Sequence, residues 1–427
     1  GGNIIPSGTR YTWTIQSDNS DITGQSAETI SKSNFTQTLR NKTIDPQTIV
    51  YSITPISNNG TCVGNAFDLT VTVNPTPEVA AKTTAICSGG TFNVSPINAG
   101  SGALDIVPAG TTYSWTVVDN PLVTGEAEET NFQANISQVL TNTSNTVQTV
   151  IYTVTPKSGE AGNCFGQEFQ VSVQVNPEPF VQPIAQTYCS GSPFTITPAN
   201  GSGNIVPTGT TYSWTFVDNA SVTGEAIGTN QANFTQTLTN STTTPQVVTY
   251  TVTPTSGATG NCVGDSFTIT ITVNPTIQIS NKTPAAICSG SSFTVQPVDT
   301  QGGDFVPNGM LYTWTVAPNG NIEGASDQTT PQASISQPLR NKTNSPETVV
   351  YTVTPIYGGS CSGGTFSITV TVNPTPEIAA KSDTICSGGT FTLSPTNTVA
   401  NGIGDIVPAN TTYTWTVATN NSVNGQS

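Results

Sequence analysis

The 427-residue chain has no histidine, a single methionine and few charges, with 8% of its residues Asp, Glu, Lys or Arg. Without histidine, neither a Ser-His-Asp nor a Cys-His nucleophile can be assembled. Lys and Arg number ten, no two adjacent, and the net charge is −15. Nothing there meets phosphates, which excludes nucleic acid and an anionic membrane surface as partners. No apolar run approaches the ~20 residues that cross a bilayer. No secretion leader opens the chain. The glycine-rich stretches lack the Lys-Ser/Thr and following helix of a phosphate loop. No CxxC or CxH spacing offers a zinc site. The acids are scattered rather than paired across a cleft. Glu126, Glu225 and Glu323 flank a recurring V-x-G-type turn and read as solvated loop acids. The chain is therefore expected not to be an enzyme, and no cofactor is expected.

What the sequence does contain is repetition. The five tryptophans, Trp13, Trp115, Trp214, Trp314 and Trp415, are spaced by 102, 99, 100 and 101 residues. Each sits in one phrase, such as VPAGTTYSWTV at 107–117 and VPTGTTYSWTF at 206–216. V-N-P recurs at 73–75, 175–177, 273–275 and 372–374, and C-S-G begins at Cys87, Cys189, Cys288 and Cys386. These phrases divide the chain into a partial repeat at 1–75, complete repeats at 76–176, 177–274 and 275–373, and a partial repeat at 374–427. NPTPEVAAKTTAICSGGTF (74–92) returns almost unchanged at 373–391. Both ends fall inside a repeat, so the chain is expected to be a window on a longer protein whose export and anchoring signals lie elsewhere.

Within a repeat the apolar residues alternate. Tyr113, Trp115 and Val117 share one face, as do Val150, Tyr152 and Val154, and Phe169, Val171, Val173 and Val175. Period-two alternation rich in Val and Thr marks strands buried on one side. Six or seven short strands per hundred residues, separated by Gly, Pro, Asn and Ser, read as an immunoglobulin-like two-sheet sandwich. The expected core is built on the five tryptophans with Tyr51, Tyr152, Tyr250 and Tyr351. With Pro stopping the last strand and no linker, the sandwiches should stack as a rod on the order of 150 Å long. Gln37, Gln138, Gln236 and Gln337 fall where alternation points inward. Either a bulge turns the amide outward or a buried amide ties down loop backbone.

Eight cysteines, two per repeat, imply structural disulfides in an oxidising compartment. The leading connectivity is within repeats: Cys87–Cys164, Cys189–Cys262 and Cys288–Cys361, with Cys62 and Cys386 pairing beyond the chain. Yet the first turn and the last hairpin of a sandwich lie at opposite ends, and a bridge needs Cα atoms within about 7 Å. A staple between neighbouring repeats, such as Cys87 to Cys262, therefore remains open, as do free thiols.

Asp105, Asp304 and Asp405 precede the V-P turn, where Asn3 and Asn204 hold the matching places. Calcium is one reading; a capped turn needs fewer oxygens and is the other. Lys82, Lys282 and Lys381 lie on the first strand and read as exposed rather than as partners of an isopeptide bond. The sequons at Asn34, Asn41, Asn135 and Asn341 read as Thr-rich surface.

The ordered set V-P-x-G-T-x-Y-x-W-T, V-x-G, L-x-N, V-x-Y-x-V-T-P, G-x-C-x-G, V-T-V-N-P and I-C-S-G resembles the PKD-like repeats of Bacteroidota surface proteins, over the whole chain. The resemblance implies a β-sandwich stalk in a giant secreted adhesin, including the gliding-motility adhesins exported by type 9 secretion. It also implies a cell-surface location attached to the outer membrane, and contact with secretion and motility machinery there. An extracellular surface or glycan would then be bound by other parts of the parent protein. A glycan-binding array, or a spacer on an extracellular enzyme, is the alternative.

Overall fold

The computed structural model describes residues 4–57, 62–99, 105–159, 162–400 and 403–425. Apart from a three-residue 3-10 turn at Gln301–Gly303, its regular elements are strands. No helix among the described residues is long and apolar enough to cross a membrane.

The second repeat shows the plan. A five-stranded sheet runs in the order Glu129–Gln133, Thr112–Val117, Gln148–Lys157, Phe169–Asn176, Lys82–Cys87. Its strands pair antiparallel except at the end, where Lys82–Cys87 lies parallel to Phe169–Asn176 and sets Cys87 opposite Asn176. Two short ladders complete the sandwich: Thr91–Val94 with Ile136–Val139, and Val123–Thr124 with Thr141–Asn142. The alternating residues of both layers close one core around Trp115, Tyr152, Phe92, Ile136 and Val171. The third and fourth repeats repeat the plan around their own cores. Their long central strands are Gln246–Thr255 and Glu347–Tyr357.

Four of the five expected core tryptophans are buried, each 5% exposed, and all four tyrosines are at 0%. Trp415 is the exception, at 75%. No sheet among the described residues covers its ring, and the described residues of 374–400 and 403–425 carry only isolated bridges such as Glu377 to Ile406. Lys381 accordingly lies outside any strand, and Lys282 makes only a parallel bridge to Ile368. Among the described residues the first repeat has a four-stranded sheet, Glu28–Lys32, Arg10–Ser17, Gln47–Ile56 and Phe67–Val73, and a short ladder of Ile22–Thr23 with Arg40–Asn41. No fifth strand among the described residues pairs with Phe67–Val73, and Leu69, Val71 and Val73 are only half-buried.

The glutamines resolve as loop ties, not outward bulges. Ala127 N–H donates to Gln138 Oε1 (3.2 Å), and Gln138 Nε2 donates back to the Ala127 carbonyl (2.7 Å). The Trp115 indole N–H reaches that same carbonyl at 3.1 Å, and the Tyr152 hydroxyl donates to Gln138 Oε1 at 2.8 Å. Ser326 is gripped in the same way by Gln337 and Trp314, and Ala226 by Gln236 and Trp214. Gln37 accepts from Ser26 N–H at 3.0 Å. A buried donor or acceptor left unmade costs about 1–3 kcal/mol, which favours the inward amide once a partner carbonyl is in reach.

Nor are all the loop acids solvated. Glu126 and Glu225 are half-buried and accept the N–H groups of Asn120 and Asn219. Burial raises both carboxyls above the ordinary glutamate value; the accepted N–H pulls the other way, and the charges of Asp119 and Asp218 add to the rise. Glu323 is exposed, as expected, beside Arg340 and Lys342.

Candidate functional site at the repeat junctions

The chemistry of this chain gathers where one repeat meets the next. Each repeat ends at V-N-P, whose Pro cannot extend the ladder. The C-S-G turn sits at that same end, because the parallel first strand brings Cys87 beside Asn176, Cys189 beside Asn274 and Cys288 beside Asn373. The G-x-C-x-G hairpin, between the last two strands, lies at the other end and faces the preceding repeat.

Two disulfides are described, and both cross a junction. Cys87 joins Cys262 with Cα atoms 5.6 Å apart, and Cys189 joins Cys361 at 5.5 Å. The within-repeat pairs Cys87–Cys164, Cys189–Cys262 and Cys288–Cys361 are therefore corrected. The length of Phe169–Asn176, roughly 25 Å at ~3.3 Å per residue, separates Cys87 from Cys164, far beyond disulfide reach. The C-S-G cysteine of one repeat pairs instead with the hairpin cysteine of the following one. Cys62, Cys288 and Cys386 are exposed and Cys164 is half-buried.

The glycines of the hairpin motif make this approach possible. A Cβ on Gly264 would lie 1.9 Å from the Pro179 carbonyl oxygen, and one on Gly260 would lie 2.8 Å from Asn176 Nδ2. Gly166 and Gly162 stand equally close to Pro77 and Asn74. The amide of the V-N-P asparagine thus rests against the next hairpin, and Asn274 Nδ2 donates to Cys361 Sγ at 3.3 Å. Hydroxyls add a polar seam, Ser190 to Thr276 at 2.7 Å and Thr276 to the Asn240 carbonyl at 3.0 Å. Arg40 pairs with Glu78 across the first junction and Arg340 with Glu377 across the last, 2.8 Å in the latter. These pairs are exposed and contribute little alone.

Behind the seam is an asparagine that the sequence reading missed. The L-x-N residues Asn41, Asn142, Asn240 and Asn341 are buried, at 4% exposure or less. Asn240 Nδ2 donates to the carbonyls of Thr244 (2.8 Å) and Val273 (2.9 Å), while its Oδ1 accepts the Thr242 N–H and hydroxyl, both 2.8 Å. Each hooks the loop to the end of the last strand, where the next repeat docks. Asn41 and Asn341 are therefore structural, not surface sequons, whereas Asn34 and Asn135 are exposed. The signal that could have found them is the fixed place of L-x-N, always with Ser or Thr two residues on.

The aspartates cap the entry turn. Asp105 Oδ1 accepts the Ala80 N–H (2.8 Å) and Asp304 Oδ1 that of Ser280 (2.7 Å), while Asp405 Oδ1 accepts that of Ala379 (3.0 Å). Asn204 does the same for Gln182 (2.9 Å); Asn3 lies outside the described residues. The second oxygen of each aspartate takes the ammonium of Lys82, Lys282 or Lys381. Lys82 and Lys282 are therefore half-buried ion-pair partners rather than free surface lysines. For Asp304, burial pushes the carboxyl upward, but the Lys282 ammonium and the Ser280 donors outweigh it and hold the group below its ordinary 3.8. Next to these carboxylates burial, then their charge, pushes Tyr113 and Tyr312 up to about 12.

Fold and junction together define a tandem array of immunoglobulin-like sandwiches joined covalently from repeat to repeat. The PKD-like domain family matches four times, over residues 3–77, 84–179, 186–277 and 285–376, and the chain belongs to that family. Comparison with curated protein sequences gives no match. Among solved structures, Drosophila N-cadherin EC1-4 is similar at 11% identity and a TM-score of 0.24, over 87% of this chain and 94% of that one. An I-band fragment of titin is similar at 10% and 0.26, over 70% and 96%. Scores of that size carry no argument about ligand or assembly.

Proposed function

We propose that this chain is a load-bearing spacer in a large secreted cell-surface adhesin, serving attachment or gliding motility, with no catalytic role of its own. The observation that carries this reading is the stapled junction: successive sandwiches follow without a linker and are tied by a disulfide, as in Cys87–Cys262 and Cys189–Cys361. Disulfides at regular spacing suit an oxidising, extracellular setting. Family membership fits a stalk, and the resemblance to Bacteroidota repeats supplies the link to type 9 secretion and to an outer-membrane attachment. The ligand, a surface or a glycan, would be held by other parts of the parent protein. No cofactor enters this reading: the aspartates that calcium would need are already engaged by amide and ammonium groups. Electron microscopy of the purified chain tests it. A beaded rod on the order of 150 Å long is expected, and a compact globule would overturn it.

A second reading, as a binding module, has one observation in its favour. On the second repeat Phe132 and the exposed Phe165 lie 5.8 Å apart, with the Lys157 ammonium 5.4 and 5.7 Å from their rings. Glycan-array binding by the chain, abolished in Phe165→Ala, would favour this module over the spacer.

A further inference from the structure

We infer that the staggered disulfides bypass each of the three complete repeats, so that a repeat which unfolds under tension cannot lengthen the chain. The inference deepens the spacer reading, but rests on connectivity alone. Consider the third repeat unfolded between folded neighbours. Tension arriving at the second repeat passes through Cys87 to Cys262 and needs only the stretch from Cys262 to Asn274 to reach the fourth repeat. A parallel route runs from Asn176 to Cys189 and across to Cys361. Each route is about 12 residues, ~43 Å when fully extended. A folded sandwich with ten-residue strands such as Gln246–Thr255 spans roughly 40 Å with its turns. The unfolded repeat is therefore held at close to its folded length, whereas about 100 free residues would reach ~340 Å.

The anchors make the routes short. Cys87 and Cys189 sit at the trailing end of their own sheets, opposite Asn176 and Asn274, and Cys262 and Cys361 at the leading end of the following ones. The second repeat is bypassed once, from its entry through Cys87 to Cys262. The fourth is bypassed once, from Cys189 through Cys361 to its exit. The third is bypassed twice. Cys164 and Cys288 occupy the same positions in their repeats as Cys262 and Cys189, so a longer array of this unit would carry two bypasses over every repeat.

The connectivity predicts a count. The full chain is held by peptide tags at its two ends and pulled in an optical trap. Oxidised, it should show one step of ~220 Å from the first repeat, a second of similar size only when the last of the three complete repeats opens and the stretch between Cys189 and Cys262 takes the load, and no ~300 Å step. Cys87→Ser should release one ~300 Å step, from the second repeat, because the third keeps its other bypass. Cys361→Ser should likewise release one, from the fourth. The double variant should release three. Reducing the wild-type chain should also release three, which keeps the test decisive if a variant fails to fold. Any ~300 Å step in the oxidised wild type, or two or more in a single variant, overturns the inference. Such a result would leave a beaded rod in the microscope, and the spacer reading with it, untouched.

Discussion

Replacing Asn240 by alanine removes four hydrogen bonds at once, and the structure says which of them matter. The Val273 residue is fully buried, so its carbonyl loses its Asn240 partner with no water to replace it. That costs about 1–3 kcal/mol. Thr244 is exposed and Thr242 half-buried, so their groups turn to solvent and lose roughly 0.5 kcal/mol each. The sum is about 3 kcal/mol, a large part of the 5–15 kcal/mol typical of a domain. For a repeat of this size it corresponds to a fall of roughly 10–20 °C in Tm. The assay is differential scanning calorimetry of the oxidised chain, resolving repeats as separate transitions. One transition should move down while the others hold. Asn240→Asp separates hydrogen bonding from volume: it keeps the acceptor but turns a carboxylate toward two carbonyls. Its loss should be at least as large at pH 7 and should shrink as acid protonates the group. A loss under ~1 kcal/mol for alanine would refute the anchoring role, as would a uniform shift of all transitions.

Gly264→Ala puts a methyl group into the Pro179 carbonyl, so the yield of Cys87–Cys262 should fall while Cys189–Cys361 forms normally, both read by non-reducing peptide mapping; normal yield of both would contradict the packing argument. Glu126→Gln should raise the melting temperature at pH 7, because a carboxyl with a raised folded value costs stability once pH climbs above its ordinary 4.5. The gain should vanish as pH falls toward that value. Gln25 fills the equivalent place in the first repeat, where it donates to the Asn19 carbonyl. Asp304→Asn should keep the cap, as Asn204 does, but lose about 1–2 kcal/mol of ion pairing with Lys282. A depressed carboxyl stabilises above its ordinary 3.8 and stops doing so as pH drops through its folded value. The gap from wild type, measured by thermal melts against pH, should therefore close only in strong acid.

The sandwich was legible because burial on one face writes itself as alternation: Tyr113, Trp115 and Val117 point inward as their spacing requires. The repeat period was legible because copies share motifs. The junction was not, for a geometric reason. Cys87 and Cys164 belong to one repeat in the sequence, but which end of the sheet each occupies depends on the parallel pairing of Lys82–Cys87 with the last strand. Strand order is set by tertiary packing and leaves no local mark. Asn41 and Asn341 were misread because Asn before a Ser/Thr-rich loop looks the same whether it is solvated or hooked to a buried carbonyl. Gln138 was ambiguous for the same cause: its partner at Ala127 comes from a different turn.

The forward pairing of Cys87 fixes an order of events during maturation. Its partner lies 175 residues downstream, in a repeat that leaves the ribosome after its own. Cys164 is nearer along the chain, and oxidation that outran folding would favour it, since a shorter loop costs less entropy to close. Once the second sheet forms, its strands hold those two sulfurs apart, and only the finished third repeat can offer a thiol within reach. Each correct bond therefore certifies that two successive repeats have both reached their native shape.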